Sequence, residues 1–161
     1  MPITTATHVM RPELGDFSSV VCFKALVTGT EEALGEKAAA IALIAAGRIR
    51  GKQLVEQLGL TGKNVTAEEV TVILQKALGL EGTRLCIIDK IVNDSNVISV
   101  YCRETICSMG EVVGSSRNLT YTLGTIQGAL EQAMGKRLRG KQVESVLRGG
   151  NHDVISFEVI E

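Results

Sequence analysis

Residues 119–134 read LTYTLGTIQGALEQAM, and residues 148–153 read RGGNHD. The first stretch predicts a helix, and the second predicts the turn of a strand hairpin behind it. Gly124 and Gly128 are four residues apart, so both lie on one helical face and leave a flat groove there. A glycine within a helix costs about 1 kcal/mol relative to alanine, so a packing or functional reason is expected. The simplest reason is a close neighbour in the groove, either a backbone or a flat ligand.

Two helices are predicted near the N-terminus. Asp16 or Ser18 can cap a helix that carries residues 20–27, and Gly29 interrupts or ends it. A long helix follows over residues 36–58. Its alanines make a slim face that permits the close approach of another helix.

The sequence then changes from helix to strand. Residues 66–69 read TAEE, the capping-box pattern that opens a short third helix. β-Rich runs at residues 84–92 and 97–103 flank a polar turn and predict a first hairpin. Residues 142–147 and 154–160 predict the strands of a second hairpin.

The order of these elements predicts an α+β fold. N-terminal helices are expected to pack on a four-stranded antiparallel sheet, with a C-terminal helix between the two hairpins. Residues 1–15 are polar, contain both prolines and predict an irregular arm before a single domain over residues 16–161. Residues 106–117 are ambiguous and predict a mobile connection, a lid or a further strand.

The composition disfavours several functions. Hydrophobic residues make up 45% and charged residues 22%, which is typical of a globular domain. A net charge of −1 and only 3% aromatic residues make nucleic acid an unexpected partner. The most apolar run, residues 38–47, is about half the length of a membrane span, so no transmembrane segment is expected. No secretory signal is visible, and a cytoplasmic protein with reduced cysteines is expected.

No catalytic constellation is convincing. Residues 135–142 read GKRLRGKQ and lack the final hydroxyl that a phosphate loop needs for magnesium. His152 and Asp153 lie in a glycine turn, where such residues are usually solvated. Cys102 and Cys107 are either small buried thiols or, with His152, ligands for a metal or a tetrapyrrole. The residues therefore favour a binding protein over an enzyme.

A second glycine pair, Gly47 and Gly51, lies on the long helix beside the alanine face. Together they predict a self-association surface, because an exposed apolar helix face otherwise favours aggregation. A homodimer is therefore expected.

Two regions resemble one protein family. Residues 34–40 (LGEKAAA) and 46–52 (AGRIRGK) are similar to the N-terminal helix pattern of the 4-vinyl reductase, or hydrocarbon-binding, domain proteins. The pair Gly124 and Gly128, with the closing residues 156–159 (SFEV), is similar to their C-terminal part. The resemblance covers residues 14–161.

The resemblance implies an α+β domain similar to the vesicle-tethering TRAPP subunits, often dimeric, with an apolar pocket. Members of the family are linked to bacteriochlorophyll 8-vinyl reduction, to the sensing of aromatic hydrocarbons and, in cyanobacteria, to photosystem assembly. The cyanobacterial branch implies a photosynthetic assembly partner and a peripheral position at a photosynthetic membrane.

The sequence departs from the family in its last hairpin. Many members carry cysteines there as suspected metal ligands, whereas this chain has Val146 or Leu147 and Ile155. No metal site is carried over, and Cys102 and Cys107 remain as candidates.

The leading hypothesis is a non-catalytic binding protein for a hydrophobic small molecule, a tetrapyrrole or chlorophyll precursor, that serves pigment delivery or photosystem assembly. The alternatives are an enzyme, or enzyme subunit, that reduces a tetrapyrrole vinyl group, and a dimeric adaptor module. The pocket is expected between the glycine-notched helix and the sheet, with no certain cofactor. Its predicted lining residues are Tyr101, Cys102, Cys107, Met109, Tyr121, Gly124 and Gly128, with Arg48, Arg50 or Arg137 reaching acidic substituents.

Overall fold

The fold is α+β, as the order of elements predicts, and it is seen in a computed structural model that describes residues 10–160. Residues 1–9 of the predicted arm lie outside the described residues. In chain order, the elements are α1 (Val20–Leu34), α2 (Glu36–Gln57), α3 (Ala67–Leu78), β1 (Ile87–Asp94), β2 (Val97–Arg103), α4 (Tyr121–Met134), β3 (Arg137–Glu144), a short 3-10 turn (Val146–Arg148) and β4 (Asp153–Ile160).

The four strands form one antiparallel sheet in the order β1-β2-β4-β3. The second hairpin therefore joins the first through β4, with Val100 of β2 opposite Ile155 of β4. Alternate residues of these central strands point into a core that they share with Ile126 and Leu130 of α4. The side chains of this core fill the space between α4 and the sheet, where the sequence predicts a pocket.

The helix N-termini follow the capping rules. At α3 the Thr66 hydroxyl accepts the Glu69 main-chain N–H at 3.2 Å, and the Glu69 carboxylate accepts the Thr66 N–H at 2.8 Å, which confirms the capping box. At α1 the cap is Ser19, because Asp16 instead accepts main-chain N–H groups of residues 10 and 11. The helix continues through Gly29 to Leu34, so the predicted interruption is wrong.

The second hairpin begins five residues earlier than predicted, at Arg137. Residues 137–141 alternate between exposed cations and inward-facing residues, a strand pattern that the charge run obscures in the sequence. Gly140 is required within this strand, because a Cβ there would lie 2.7 Å from the ring of Phe157. The first hairpin turns on two residues, Ser95 and Asn96.

The segment between β2 and α4 forms turns rather than a further strand. Lys24 of α1 donates to the Cys107 carbonyl at 2.8 Å and pairs with Glu111 at the same distance. Arg117 pairs with Glu31, also on α1, at 3.0 Å. These contacts hold the segment against α1.

Within residues 10–160, no helix combines the length and the apolar character needed to cross a bilayer.

Candidate functional site: a cavity beside helix α1

The glycine groove of α4 is filled by α2, so the prediction that it holds a ligand is wrong. A Cβ at Gly124 would overlap the Ile44 carbonyl, and one at Gly128 would overlap the Arg48 carbonyl. Gly47 and Gly51 face α4 in return, so they form an intramolecular contact rather than the predicted self-association surface. The sequence offered two reasons for Gly124 and Gly128, a neighbouring backbone or a flat ligand, and the structure shows the backbone of α2.

An apolar cavity of about 1040 Å³ lies next to this crossing, where α1 covers the C-terminal half of α2. The α3–β1 connection and the start of α4 complete its wall. The apolar lining residues are Met10, Phe17, Val20, Cys22, Phe23, Leu26, Leu54, Leu78, Leu85 and Ile106. The polar ones are Asp16, Ser18, Ser19, Arg50, Gln53, Glu56, Gln57, Thr83, Arg84, Tyr121 and Thr125.

Aromatic side chains gather at this cavity. Phe17, Phe23 and Tyr121 line it, which is three of the five aromatic residues of the chain (three Phe and two Tyr). The rings of Phe23 and Tyr121 meet edge to face, with their centroids 4.8 Å apart. This contact joins α1 to the start of α4 across the cavity wall.

Polar side chains of α2 form part of the cavity wall. Arg50, Gln53 and Gln57 lie on one face of α2, and Arg50 donates to the Gln57 side-chain oxygen at 3.2 Å. Burial raises the pKa of the Tyr121 hydroxyl, and the positive charge of Arg50 opposes that rise. On the α3–β1 connection, the Thr83 hydroxyl is buried and has no hydrogen-bond partner among the described residues.

Two of the predicted site residues, Tyr121 and Arg50, line the cavity. Arg48 does not, because its guanidinium donates to both oxygens of the buried Glu131 carboxylate at 2.7 and 2.9 Å. Arg137 is exposed on the edge strand β3, outside the cavity lining.

The remaining predicted residues lie elsewhere. Cys102 is fully buried in the sheet, where hydrogen bonding to Cys86 and burial raise the pKa of its thiol well above the usual value. The buried Cys107 sulfur accepts the Thr120 main-chain N–H at 3.4 Å, and Met109 packs partly buried against the core. These positions confirm the buried-thiol interpretation, and they do not bring the residues together around a ligand.

Tyr101 lies on the outer face of the sheet, away from the cavity. The Lys90 ammonium lies 4.3 Å from its ring centroid, and the ring of His152 meets it edge to face at 5.6 Å. Asp89 joins this outer cluster by pairing with Arg103 at 2.5 Å and His152 at 2.9 Å. Arg103 is the main cause that lowers the pKa of Asp89 to about 2.

Asp153 is fully buried rather than solvated, which corrects the interpretation of the glycine turn. Its carboxylate accepts the Thr105 and Ser108 hydroxyls, each at 2.7 Å, and the Val146 main-chain N–H at 3.1 Å. It therefore fixes the turn after β2 to the second hairpin. Within residues 10–160, no three His, Cys, Asp or Glu side chains are grouped closely enough to hold a metal ion.

Sequence reasoning missed the contribution of α1 to the site. Val20 and Leu26 on α1 remain 42% and 59% exposed, and Phe17 just before the helix remains 44% exposed. The apolar character of these residues was the available signal. The α3–β1 connection gave no signal, because Thr83 and Leu85 reach the cavity only through the tertiary fold.

Solved structures with the same fold include three informative proteins. The phenol-responsive sensory domain of the transcription activator PoxR, solved with phenol, has a TM-score of 0.68 and 14% identity, over 89% of this chain and 76% of that one. A trafficking protein particle complex subunit 3 from Naegleria fowleri, covalently bound to palmitic acid, has a TM-score of 0.61 and 18% identity, over 88% and 93%.

A vinyl-4-reductase family protein from Methanocaldococcus jannaschii has a TM-score of 0.52 and 15% identity, over 92% of this chain and 86% of that one. No protein-family pattern and no curated protein sequence matches this chain. The fold relationship to these three proteins, at identities of 14 to 18%, is what the comparisons establish.

Proposed function

We propose that this chain is a binding domain for a small apolar molecule, which it holds in the cavity between α1, α2, α3 and α4. The observation that carries the proposal is a cavity of about 1040 Å³ whose walls are mainly apolar and include a number of polar groups. Small-molecule sites are typically about 300–1,000 Å³, mostly apolar, with a few placed polar groups. Burial of a ligand there contributes about 25 cal/mol per Å² of apolar surface before the costs of association.

The solved relatives support this class of function. One is a sensory domain solved with phenol, and another is bound to palmitic acid. Both molecules have an apolar body.

A neutral fluorescent probe tests the proposal. N-phenyl-1-naphthylamine brightens in apolar sites, so its titration into the protein should give a saturable signal. Leu26→Trp places a larger side chain in the cavity from α1. It should raise the Kd of the probe about tenfold, which corresponds to a loss of about 1.4 kcal/mol of binding free energy. Leu34→Trp is the control, because Leu34 is also on α1 and similarly exposed but lies outside the lining. Equal binding by both variants contradicts the proposal.

A tetrapyrrole precursor is the specific ligand that the family resemblance suggests, with delivery of pigment during photosystem assembly as its role. The size of the cavity, about 1040 Å³, supports it. Titration of a divinyl porphyrin should shift its absorption band. Incubation with NADPH should leave the vinyl groups intact, since the proposal is binding without turnover.

Self-association through the outer face of α2 is the second part of the proposal. Ile41 and Ile49 are 75% and 60% exposed there. The alanines between them, at positions 42, 45 and 46, are exposed too, and the spacing makes one continuous apolar stripe. A second copy of the chain, packed antiparallel, would cover this stripe in a symmetric contact.

A further inference from the structure

The α1 side of the cavity is open to solvent. Four of its apolar lining residues, Met10, Phe17, Val20 and Leu26, stay exposed although they belong to the wall. A ligand held there would keep part of its own apolar surface in contact with water. Small-molecule sites normally bury about 70–90% of the ligand surface or more, so this side of the cavity lacks a cover among residues 10–160.

The exposed stripe of α2 leads directly to this cavity. Gln53 and Glu56 follow Ile49 by four and seven residues, which places them on the same side of the helix. Both side chains are exposed, and both line the cavity. A partner that covers the stripe and the next turns of α2 therefore reaches the cavity wall as well.

Exposed apolar side chains are concentrated in this part of the chain. More than half of the large hydrophobic residues that stay exposed within residues 10–160 lie between Met10 and Ile49. These residues belong to α1, to the segment before it and to the first half of α2. Such a concentration of exposed apolar surface is typical of an interaction site.

The charges favour a second copy of the chain as the partner. The charged residues of the cavity wall are two arginines and two carboxylates, namely Arg50, Arg84, Asp16 and Glu56. Their charges cancel. Arg48, the one charged residue between Ile41 and Ile49, is paired with the buried Glu131. No row of like charges therefore repels an identical surface, and no excess of cations attracts an anionic membrane.

We infer that a second copy of the chain, packed on the α2 stripe, also closes the open side of the cavity. The inference rests on the proposed function, since it couples the cavity to self-association through α2. In a symmetric contact each copy completes the site of the other. By thermodynamic linkage, a ligand that binds the dimer more tightly than the monomer strengthens the dimer in return.

Titration of N-phenyl-1-naphthylamine into a variant that does not dimerise tests the inference. Ile41→Glu suits this purpose, because Ile41 lies on the stripe but about 14 Å along α2 from Arg50, the first cavity residue of that helix. The Kd of the probe should rise about tenfold, a typical size for coupling between two binding events. Val72→Glu is the matched control, since it adds the same charge at an exposed position of α3 outside the cavity lining. It should bind the probe as the wild type does.

Sedimentation equilibrium of the wild type, with and without saturating probe, gives the reciprocal measurement. The dissociation constant of the dimer should fall at least tenfold when the probe is bound, because both sites of the dimer contribute. This measurement needs no variant, so it decides the inference even if Ile41→Glu does not fold. Thermal unfolding of both variants establishes whether they are folded.

The outcomes separate the inference from the proposed binding of a small apolar molecule. The inference is overturned, and the cavity proposal left standing, if a monomeric Ile41→Glu variant binds the probe as the wild type does. The same holds if the dimer is no tighter with probe than without it, or if the wild type binds the probe as a monomer. Flotation of a monomeric wild type with phosphatidylglycerol vesicles would also overturn it, since a membrane would then cover the stripe. Absence of saturable probe binding by a dimeric wild type overturns the proposed function itself.

Discussion

Four glycines set the distance between α2 and α4, two helices that pack together although they are far apart in the sequence. Each helix contributes two glycines, and each of these four positions faces a main-chain atom of the other helix. The backbones therefore touch directly, which no side chain at Gly47, Gly51, Gly124 or Gly128 would permit. A leucine at Gly124 or Gly128 would displace α2, so such variants test the fold rather than ligand binding.

A pair of alanine substitutions measures this contact. Gly128→Ala should destabilise the protein by about 3 kcal/mol or more, because the new Cβ overlaps the Arg48 carbonyl and backbone must move. Gly29→Ala, on α1, meets no atom within 4 Å and should stabilise by up to about 1 kcal/mol through helix propensity. Urea unfolding of both variants gives the comparison. Equal stabilities would mean that α2 and α4 are further apart in solution.

The buried ion pair beside this contact makes stability depend on pH. Burial alone would raise the pKa of Glu131, but hydrogen bonds from Arg48 and the Leu138 N–H outweigh it, so the pKa lies below its ordinary value of 4.5. The unfolded chain therefore binds this proton first as the pH falls. The contribution of Glu131 to stability is complete above the ordinary pKa and is lost as the pH falls through the folded one.

Urea unfolding from neutral pH to about pH 3 tests this dependence against Glu131→Gln. The wild type should be the more stable protein at neutral pH, and the difference should shrink as the pH falls below the ordinary glutamate pKa of 4.5. A difference that stays constant over this range would contradict the assignment of the shift to Glu131.

At the scale of elements, α2 is apolar on two opposite faces. One face carries the glycines that contact α4, and the other carries the exposed stripe from Ile41 to Ile49. Helices that are apolar on all sides are normally buried on all sides. We therefore expect a second copy of the chain to cover the outer face of α2, and this exposed apolar face is the basis of the self-association proposal.

Light scattering of matched variants tests the role of this face. Ile41→Glu should convert a dimer into a monomer, because it places a charge within the apolar stripe. Val72→Glu is the control, since Val72 is 63% exposed on α3, away from the stripe, and should leave the dimer intact. A monomeric wild type, or a dimeric Ile41→Glu variant, would count against self-association through α2.

Elements whose signals are local were predictable from the sequence. The capping box at Thr66, the long α2 and the hairpin of β1 and β2 were all confirmed. The start of β3 was not predictable, because its alternating cations also fit an exposed loop, and only pairing with β4 fixes them as a strand. Gly29 was also predicted incorrectly as a helix break, because the residues on both sides of it continue α1 and keep it helical.

At the scale of the whole molecule, the candidate site is a product of tertiary packing. The notch of Gly124 and Gly128 has two possible occupants, and sequence alone does not distinguish a second helix from a ligand. Of the residues that the sequence suggested for a pocket, Tyr121 and Arg50 line this cavity, whereas Leu54, Leu85 and the α1 side chains were not among those suggested. These residues come from four separate elements and share no sequence pattern.

The most direct test of the central claim is amide chemical-shift mapping of the isotope-labelled protein during titration with N-phenyl-1-naphthylamine. The account predicts saturable shifts concentrated at the cavity wall, in residues 17–26, 50–57, 83–85 and around Tyr121, with little change on the outer face of the sheet near Tyr101. Shifts scattered over the surface, or confined to the exposed stripe of α2, would contradict the account.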